Sequence, residues 1–528
     1  MLIYVLIISV ALLYYLLCKP LKYWENRNVP HIKPRPLVGN FGPLIAGQCS
    51  FTEMTQRIYN SHPNHRYFGF YQFLLPTLIA RDPELIRKIC VKGHDVFPQR
   101  RSVLLEKVDP LLARSLAFMK GGEKWNTLRT TLSPTFTGNK MRIIFDLIQD
   151  CADQFVEHFR NKGELVELEM KDHFTRYAHD VIASTTFGVV SNSLRDRDNE
   201  FYTMGLRASA LSPFRGLKLF IQSFSPMMSQ ILSLSVVPKV VEDYFVSFLR
   251  RIMAERKDGG KFRLDMLHLL MEAKSGILKD DANDADTGFL AVQKFALPKI
   301  QTTNKPRITD EDIASQAFIF FMAGYDTTST VMSFATYELA VNVHIQQKLQ
   351  REIDATLESC NGKLTYEALM EMAYLEQIVC ETLRKWPPVP LTDRCAEKPF
   401  TIEAQLDQEE TVHFEKGTIC WIPIFPIHRD PKYYPNPEVF DPERFHKDNL
   451  KNITPNTFLP FGVGVRNCIG FRFALLEIKL ILFKILSSFD VVVTDKTQIP
   501  LVMSKMRVFL AGQNGVWLGL KPRNNGDL

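Results

Sequence analysis

The stretch FGVGVRNCIG, Phe461 to Gly470, sets one cysteine among three glycines and an arginine, just ahead of an apolar run from Phe471 to Leu486. Its core, GVGVRN, superficially matches a dinucleotide-binding fingerprint. Asn467 stands where a third glycine is needed, however, and no acidic residue follows at the required distance, so that reading fails. No P-loop, H-E-x-x-H or G-x-S-x-G pattern occurs anywhere in the chain, which removes the commonest NTPase and hydrolase readings. The nine cysteines, at 18, 49, 90, 151, 360, 380, 395, 420 and 468, contain no C-x-x-C pair and are odd in number. They form neither a disulfide framework nor a zinc ribbon, and they suit a reducing compartment.

What remains for Cys468 is ligation. Gly462 and Gly464 permit a tight turn that brings backbone close to something flat, and Gly470 lets the next helix start without a side chain in the way. That helix, expected over Phe471–Leu486, aims its positive end at Cys468 and favours thiolate over thiol. Arg466 offers a planar fork for a carboxylate such as a haem propionate. A thiolate on haem iron donates electron density and favours O–O cleavage. The competing reading is a small buried cysteine. The glycines, arginine and helix start fit ligation better.

At 528 residues and 46% hydrophobic content, the chain can bury a large core. Its net charge of +6, 64 basic against 58 acidic residues, includes no basic block of the size nucleic acid demands, so DNA and RNA are not expected partners. The N-terminus differs from the rest. LIYVLIISVALLYYLL, Leu2 to Leu17, is uncharged and is followed at once by Lys19, Lys22, Arg27, Lys33 and Arg35. With the basic residues after the apolar run and no cleavage signature, residues 1–18 read as a retained signal anchor with a cytoplasmic body behind it. The alternative is a buried N-terminal helix. Tyr23 and Trp24 suit the headgroup zone of a membrane. Residues 19–45, with Pro30, Pro34 and Pro36, read as a basic, semi-rigid linker to a body over 46–528.

Along that body, HRYFGFYQFLLPTLIARDPELI predicts two strands and a helix starting at Asp82-Pro83. Helical period dominates to about residue 385, and Thr401–Ile422 reads as short strands. Lys279–Lys305 is the expected long exposed loop. The longest helix opens at Thr309 and Asp312, a capping-box pair, and is apolar on every side, as for a helix crossing a core. In its middle stand Gly324, Asp326, Thr327, Thr328, Ser329 and Thr330. Either these hydroxyls back-bond along the helix, or they serve chemistry.

Other constellations are ambiguous alone. Glu381 and Arg384 share one helical face ended by Trp386-Pro387-Pro388, and Arg444 in NPEVFDPERF could reach the same carboxylate. Trp125 and Arg129, four apart, could both donate to one anion, or be a half-buried Trp beside a solvated Arg.

Together these residues resemble the cytochrome P450 superfamily over almost the whole chain. F-x-x-G-x-R-x-C-x-G is met at Phe461, Gly464, Arg466, Cys468 and Gly470; A-G-x-D-T-T at Ala323 to Thr328; E-x-x-R at Glu381 and Arg384; P-E-R-F at Pro442 to Phe445; and W-x-x-x-R at Trp125 and Arg129. The resemblance implies a mainly α (α+β) fold: a large helical domain with a smaller β-rich one, behind one N-terminal transmembrane helix. The chain is similar to microsomal, insect xenobiotic-metabolising members, although its proline hinge is thinner than theirs.

The resemblance implies haem b with Cys468 as the proximal ligand, and Trp125, Arg129, Arg394 and Arg466 holding propionates. Glu381, Arg384 and Arg444 become a structural triad. Asp326 and Thr327 lie over the distal face and organise water for proton delivery, the helix opening locally near Gly324. Electrons come from NADPH through a separate flavoprotein reductase, with cytochrome b5 as a possible second donor, at the endoplasmic reticulum membrane. Lys124, Lys140, Arg142, Arg472 and Lys479 are candidates for the docking face. Substrates are lipophilic small molecules, with cavity segments at Phe97–Lys120, Phe201–Phe224, Phe318–Thr328, Val389–Thr392 and Arg507–Ala511; Phe214, Phe220 and Phe224 are either wall or packing. A haem-thiolate isomerase or dehydratase, or a haem sensor, is the alternative. The first leaves Asp326 and Thr327 unexplained, and the second lacks a signalling module.

Overall fold

The aromatic run after the linker folds as an antiparallel hairpin, β1 (Tyr67–Gln72) and β2 (Leu75–Ala80), with Tyr67 opposite Ala80. The computed structural model describes residues 4, 14–15, 17–101, 104–210, 213–224, 226–258, 263–275, 307–505 and 510–523. Further strands are β3 (Val166–Glu169), β4 (Thr392–Cys395), β5 (Phe400–Ile402), β6 (Val412–Phe414), β7 (Ile419–Ile422), β8 (Phe489–Val492) and β9 (Trp517–Pro522). They form sheets ordered β1-β2-β7-β4, β3-β9-β8 and β5-β6. β2 and β7 pair in parallel, Leu78 facing Cys420, so the first sheet joins segments far apart in the chain.

Helices dominate the remainder. Those that build the site are α1 (Glu123–Leu132), α2 (Gly138–Arg160), α3 (Met170–Ile182), α4 (Asp310–Val341), α5 (Ala373–Lys385) and α6 (Phe471–Ser488). Local chemistry sets their ends as expected. Thr309 and Asp312 close a reciprocal capping box at the start of α4, Asp82 accepts from the Leu85 N–H to start its short helix, and Trp386 ends α5. α4 is buried on all faces, through Ala317, Phe321 and Met332 on one side and Ile313, Gln316, Ile319 and Phe334 on the others, and packs against α3 and α6. The apolar interior divides accordingly into one large helical core and smaller cores beneath the first sheet.

Trp24 corrects an expectation. It does not face a headgroup zone: it is fully buried, its indole N–H donates to the Phe70 carbonyl at 3.1 Å, and its ring covers Gly69, where a Cβ would lie 2.4 Å from it. A glycine in the strand leaves the flat space that the indole fills. The expected linker therefore packs on β1 at this point. The expected anchor falls almost wholly outside the described residues, as does the loop at 279–305. Among the described residues no helix is long and apolar enough to cross a membrane.

Candidate active site

Gly462 and Gly464 adopt φ of 75° and 74°, in the left-handed region, and a Cβ on Gly464 would lie 1.9 Å from the Cys90 carbonyl oxygen. Glycine is therefore required at 464 both by conformation and by space. The Cys468 N–H donates back to the Phe461 carbonyl at 2.8 Å, closing the loop at the foot of α6. Gly470 differs from expectation: its φ is −91°, and an added Cβ would make only ordinary contact with Phe136, 3.6 Å away. Its demonstrable contribution is its N–H, directed at the Cys468 sulfur.

Cys468 is accessible, but to an internal cavity of about 380 Å³ rather than to the outer surface. Burial pushes its thiol up, outweighing the Gly470 N–H and the charges of Arg129 and Arg100. The helix end expected to favour thiolate is thus insufficient without a metal, whose coordination would deprotonate the sulfur outright.

On the cavity wall lie Arg100, Arg129 and Arg466, opposed by a single carboxylate among the described lining residues, Asp393. Arg394 stands behind the wall, bonded to the Val463 and Asp393 carbonyls at 2.7 Å each. Arg466 stacks on Trp125 at 3.8 Å and donates to the Pro98 carbonyl at 2.8 Å; Arg129 donates to Asn467 Oδ1 at 2.6 Å. Each of these four arginines keeps one buried nitrogen without a partner. Burial, then repulsion from Arg100, Arg394 and Arg129, drives Arg466 down to about 8, and burial takes Arg129 to about 10. A buried cationic cluster short of anions, beside a cysteine sulfur and an apolar space, is built for a group that is flat, metal-bearing and anionic at its edge.

The comparisons agree. The family model described as Cytochrome P450 matches residues 30–518. The chain belongs to the cytochrome P450 family. Cytochrome P450 9e2 of Blattella germanica is 41% identical over 522 residues, 95% of this chain and 94% of that protein. Probable cytochrome P450 9f2 of Drosophila melanogaster is 35% identical over 513 residues, 95% of each chain. Cytochrome P450 6k1 of Blattella germanica is 32% identical, covering 97% of this chain and 94% of the relative. The protein is therefore a P450 monooxygenase, in a family that binds haem through a cysteine thiolate. Cys468 would be that ligand, and Arg100, Arg129 and Arg466, with Arg394 behind them, would face the propionates. The Trp125 N–H donates to the Leu116 carbonyl at 3.0 Å while its ring supports Arg466.

Glu381 and Arg384 form a fully buried pair, Nε to Oε2 at 2.7 Å and Nη2 to Oε1 at 2.8 Å. The Asp441 N–H donates to Oε1 at 2.9 Å, and Arg444 Nε lies 3.5 Å from the same oxygen, so all three residues meet. Burial depresses Arg384, but the charge and hydrogen bonds of Glu381 overcome it and hold the guanidinium up. Burial raises the Glu381 acid on balance, while the charge of Arg384 and the donors on both its oxygens oppose the shift.

α4 runs unbroken past the cavity, so the expected opening near Gly324 is absent. Thr327 donates to the Ala323 carbonyl at 2.8 Å and Thr328 to the Gly324 carbonyl at 2.7 Å, which satisfies both hydroxyls within the helix. Thr327 lines the cavity. Asp326, the residue before it on the helix, does not. Its Oδ1 and carbonyl both accept from Lys171 Nζ at 2.8 Å, and the same ammonium reaches Ser329 and Thr330.

Three of the expected cavity segments contribute: Leu116 and Ala117; Ile319, Phe320 and Ala323; Val389 and Leu391. Phe214 does not, being 64% exposed, while residues 507–509 and the side chains of Phe220 and Phe224 lie outside the description. Lys479 is unavailable for docking, because it is buried and paired with Glu376. Lys124 and Arg142 are exposed but paired, with Asp312 at 2.8 Å and with Glu367. Arg100 and Asp393 were not singled out from sequence. The pair Arg100-Arg101 carries no spacing signal, and only the fold carries it to the cavity.

Proposed function

We propose that this P450 inserts one oxygen atom from O2 into lipophilic small molecules, either xenobiotics such as insecticides or plant toxins or endogenous hormones or fatty acids, with electrons passed from NADPH by a separate flavoprotein reductase. Cytochrome b5 is a second electron donor in this reading. An anchor at residues 1–18 and a linker at 19–45 hold the catalytic body, 46–528, at the cytoplasmic face of the endoplasmic reticulum. Lys140 and Arg472, with Lys124 and Arg142, serve reductase docking. The observation carrying the substrate class is the apolar part of the cavity wall, Ile319, Phe320, Val389, Leu391 and Ile424, which stands apart from the charged rim of Arg100, Arg129, Arg466 and Asp393.

When bound, cysteine-ligated haem supplies oxygen activation. The chain supplies the surroundings. The apolar wall excludes water and orients the substrate by shape. Thr327, with its proton given to Ala323, turns hydroxyl lone pairs to the cavity and can hold a water there. Asp326, once released from Lys171, can take up a proton from solvent and pass it to that water.

The test is a product screen of the haem-loaded chain with reductase, NADPH and oxygen against insecticides, plant toxins and fatty acids. Oxygenated product that requires all three components is expected; product formed equally without oxygen would refute the reading. Thr327→Ala should divert electrons to peroxide, and fully coupled turnover in that variant would remove Thr327 from proton handling.

A further inference from the structure

The stripe of α4 that faces the catalytic cavity, Ile319, Phe320, Ala323 and Thr327, continues toward the helix start with Gln316, in steps of three or four residues. Gln316 is fully buried, and a carboxamide is tolerated there when its polar atoms find partners. Its Oε1 accepts from the Leu116 N–H at 2.8 Å. Its Nε2 donates to the Arg114 carbonyl at 3.0 Å and, one turn back along α4, to the Asp312 carbonyl at 3.0 Å. Leu116 and Arg114 belong to no strand, so a side chain from a distant helix does for them what a sheet ladder does elsewhere.

The residue held in this way is part of the cavity wall. Leu116 and Ala117 line the cavity, and the Leu116 carbonyl accepts from Trp125 Nε1 at 3.0 Å and from Arg466 Nη1 at 3.2 Å. Leu116 is thus clamped from two sides: Gln316 holds its N–H, and the cationic rim holds its carbonyl. The start of the same stretch is fixed independently. Ser315 donates to the Leu111 carbonyl at 2.6 Å, and Asp109 accepts from the Val236 and Val237 N–H groups at 2.9 and 3.1 Å. The end that meets the cavity rests on Gln316.

We propose that Gln316 is a positioning residue for substrate selection. Its carboxamide sets where the Leu116–Ala117 wall stands against Ile319 and Phe320, and it passes that setting to Arg466 through the Leu116 carbonyl. Without the carboxamide the buried Leu116 N–H loses its acceptor, and the backbone must turn to find another. The turn carries the wall and the carbonyl with it. A displacement of about 1 Å at such a wall changes which part of a substrate is presented for reaction. The inference deepens the reading of the cavity as a site for lipophilic substrates and rests on it.

The haem-loaded full chain tests this without turnover. Hydrogen–deuterium exchange, resolved to single amides, should find Leu116 protected in the wild type and exchanging at least about 10-fold faster in Gln316→Met, which keeps the length and drops the amide. Gln316→Glu, which still offers an acceptor, should keep the protection. An unprotected Leu116 amide in the wild type, or an unchanged rate in Gln316→Met, would overturn the proposal. Loss of protection in both variants would credit the surrounding fold rather than the acceptor, and counts equally against it. Titration with imidazole and with phenylimidazole, followed by the shift of the haem absorption band, then reads the wall itself. The ratio of the two dissociation constants should move several-fold in Gln316→Met, whereas a merely structural role would lower the loaded fraction and leave the ratio unmoved. Should Gln316→Met not accumulate, Gln316→Asn, too short to reach Leu116, takes its place under the same criteria. A wild-type cavity with no preference for the phenyl probe would instead refute the lipophilic-substrate reading, while the exchange rates still decide on Gln316.

Discussion

Replacing Glu381 with Leu leaves Arg384 buried without its anion. Arg384 loses acceptors at 2.7 and 2.8 Å and the Asp441 amide loses one at 2.9 Å, while water cannot enter, since both members of the pair are fully buried. Each unmet donor costs about 1–3 kcal/mol, and breaking one side of a buried ion pair costs about 3–5 kcal/mol in total. Arg384 keeps the His428 carbonyl at 2.9 Å, which offsets part of the loss but carries no charge. We therefore expect Glu381→Leu to destabilise by about 3–5 kcal/mol, and Glu381→Leu with Arg384→Leu to cost clearly less than the two single changes summed. Denaturant unfolding of the four chains in a double-mutant cycle measures the coupling. A single-variant loss below about 1 kcal/mol, the range of exposed pairs, would refute the reasoning.

Gly464→Ala should abolish haem loading, since a methyl 1.9 Å from the Cys90 carbonyl forces the loop apart; a wild-type haem content by pyridine haemochrome would contradict this. Arg466→Leu should speed haem loss about 10- to 100-fold by removing a charge-assisted contact of about 1.5–3 kcal/mol, read as transfer to an acceptor globin, where an unchanged rate would oppose the assignment. His179 and His428 are each held down to about 3 from 6.5, chiefly by burial and next by Arg176 and Arg384 respectively. The unfolded chain then binds the extra protons, so stability is full above pH 6.5 and falls as pH drops toward 3, by about 1.4 kcal/mol per pH unit per histidine. Because neither His179 nitrogen is hydrogen-bonded, His179→Leu should flatten that acid limb, and an unaltered slope of unfolding midpoint against pH would disprove it.

Most of what was legible in the chain was local. The Cys468 loop, the Thr309 and Asp82 caps, the Glu381–Arg384 spacing and the end of α5 at Trp386 each depend on residues within a few positions of one another, where backbone geometry alone decides the outcome. The back-bonding of Thr327 and Thr328 was among the local possibilities, and helical geometry selected it.

Surroundings were not legible. Arg466 reaches a carbonyl 368 positions away, Lys171 holds Asp326 across 155, and Trp24 finds its acceptor 46 residues on. Lys479 carries the same formula as any surface lysine, yet packing of α6 against α5 buries it on Glu376, and the same helix buries Glu477 completely. Spacing tells which residues share a face; what that face meets follows from the burial of apolar surface over the whole chain, a sum to which distant segments contribute together. The ligand-bearing turn was thus written in ten consecutive residues, whereas its cationic rim and its buried acid exist only because remote segments pack around one cavity.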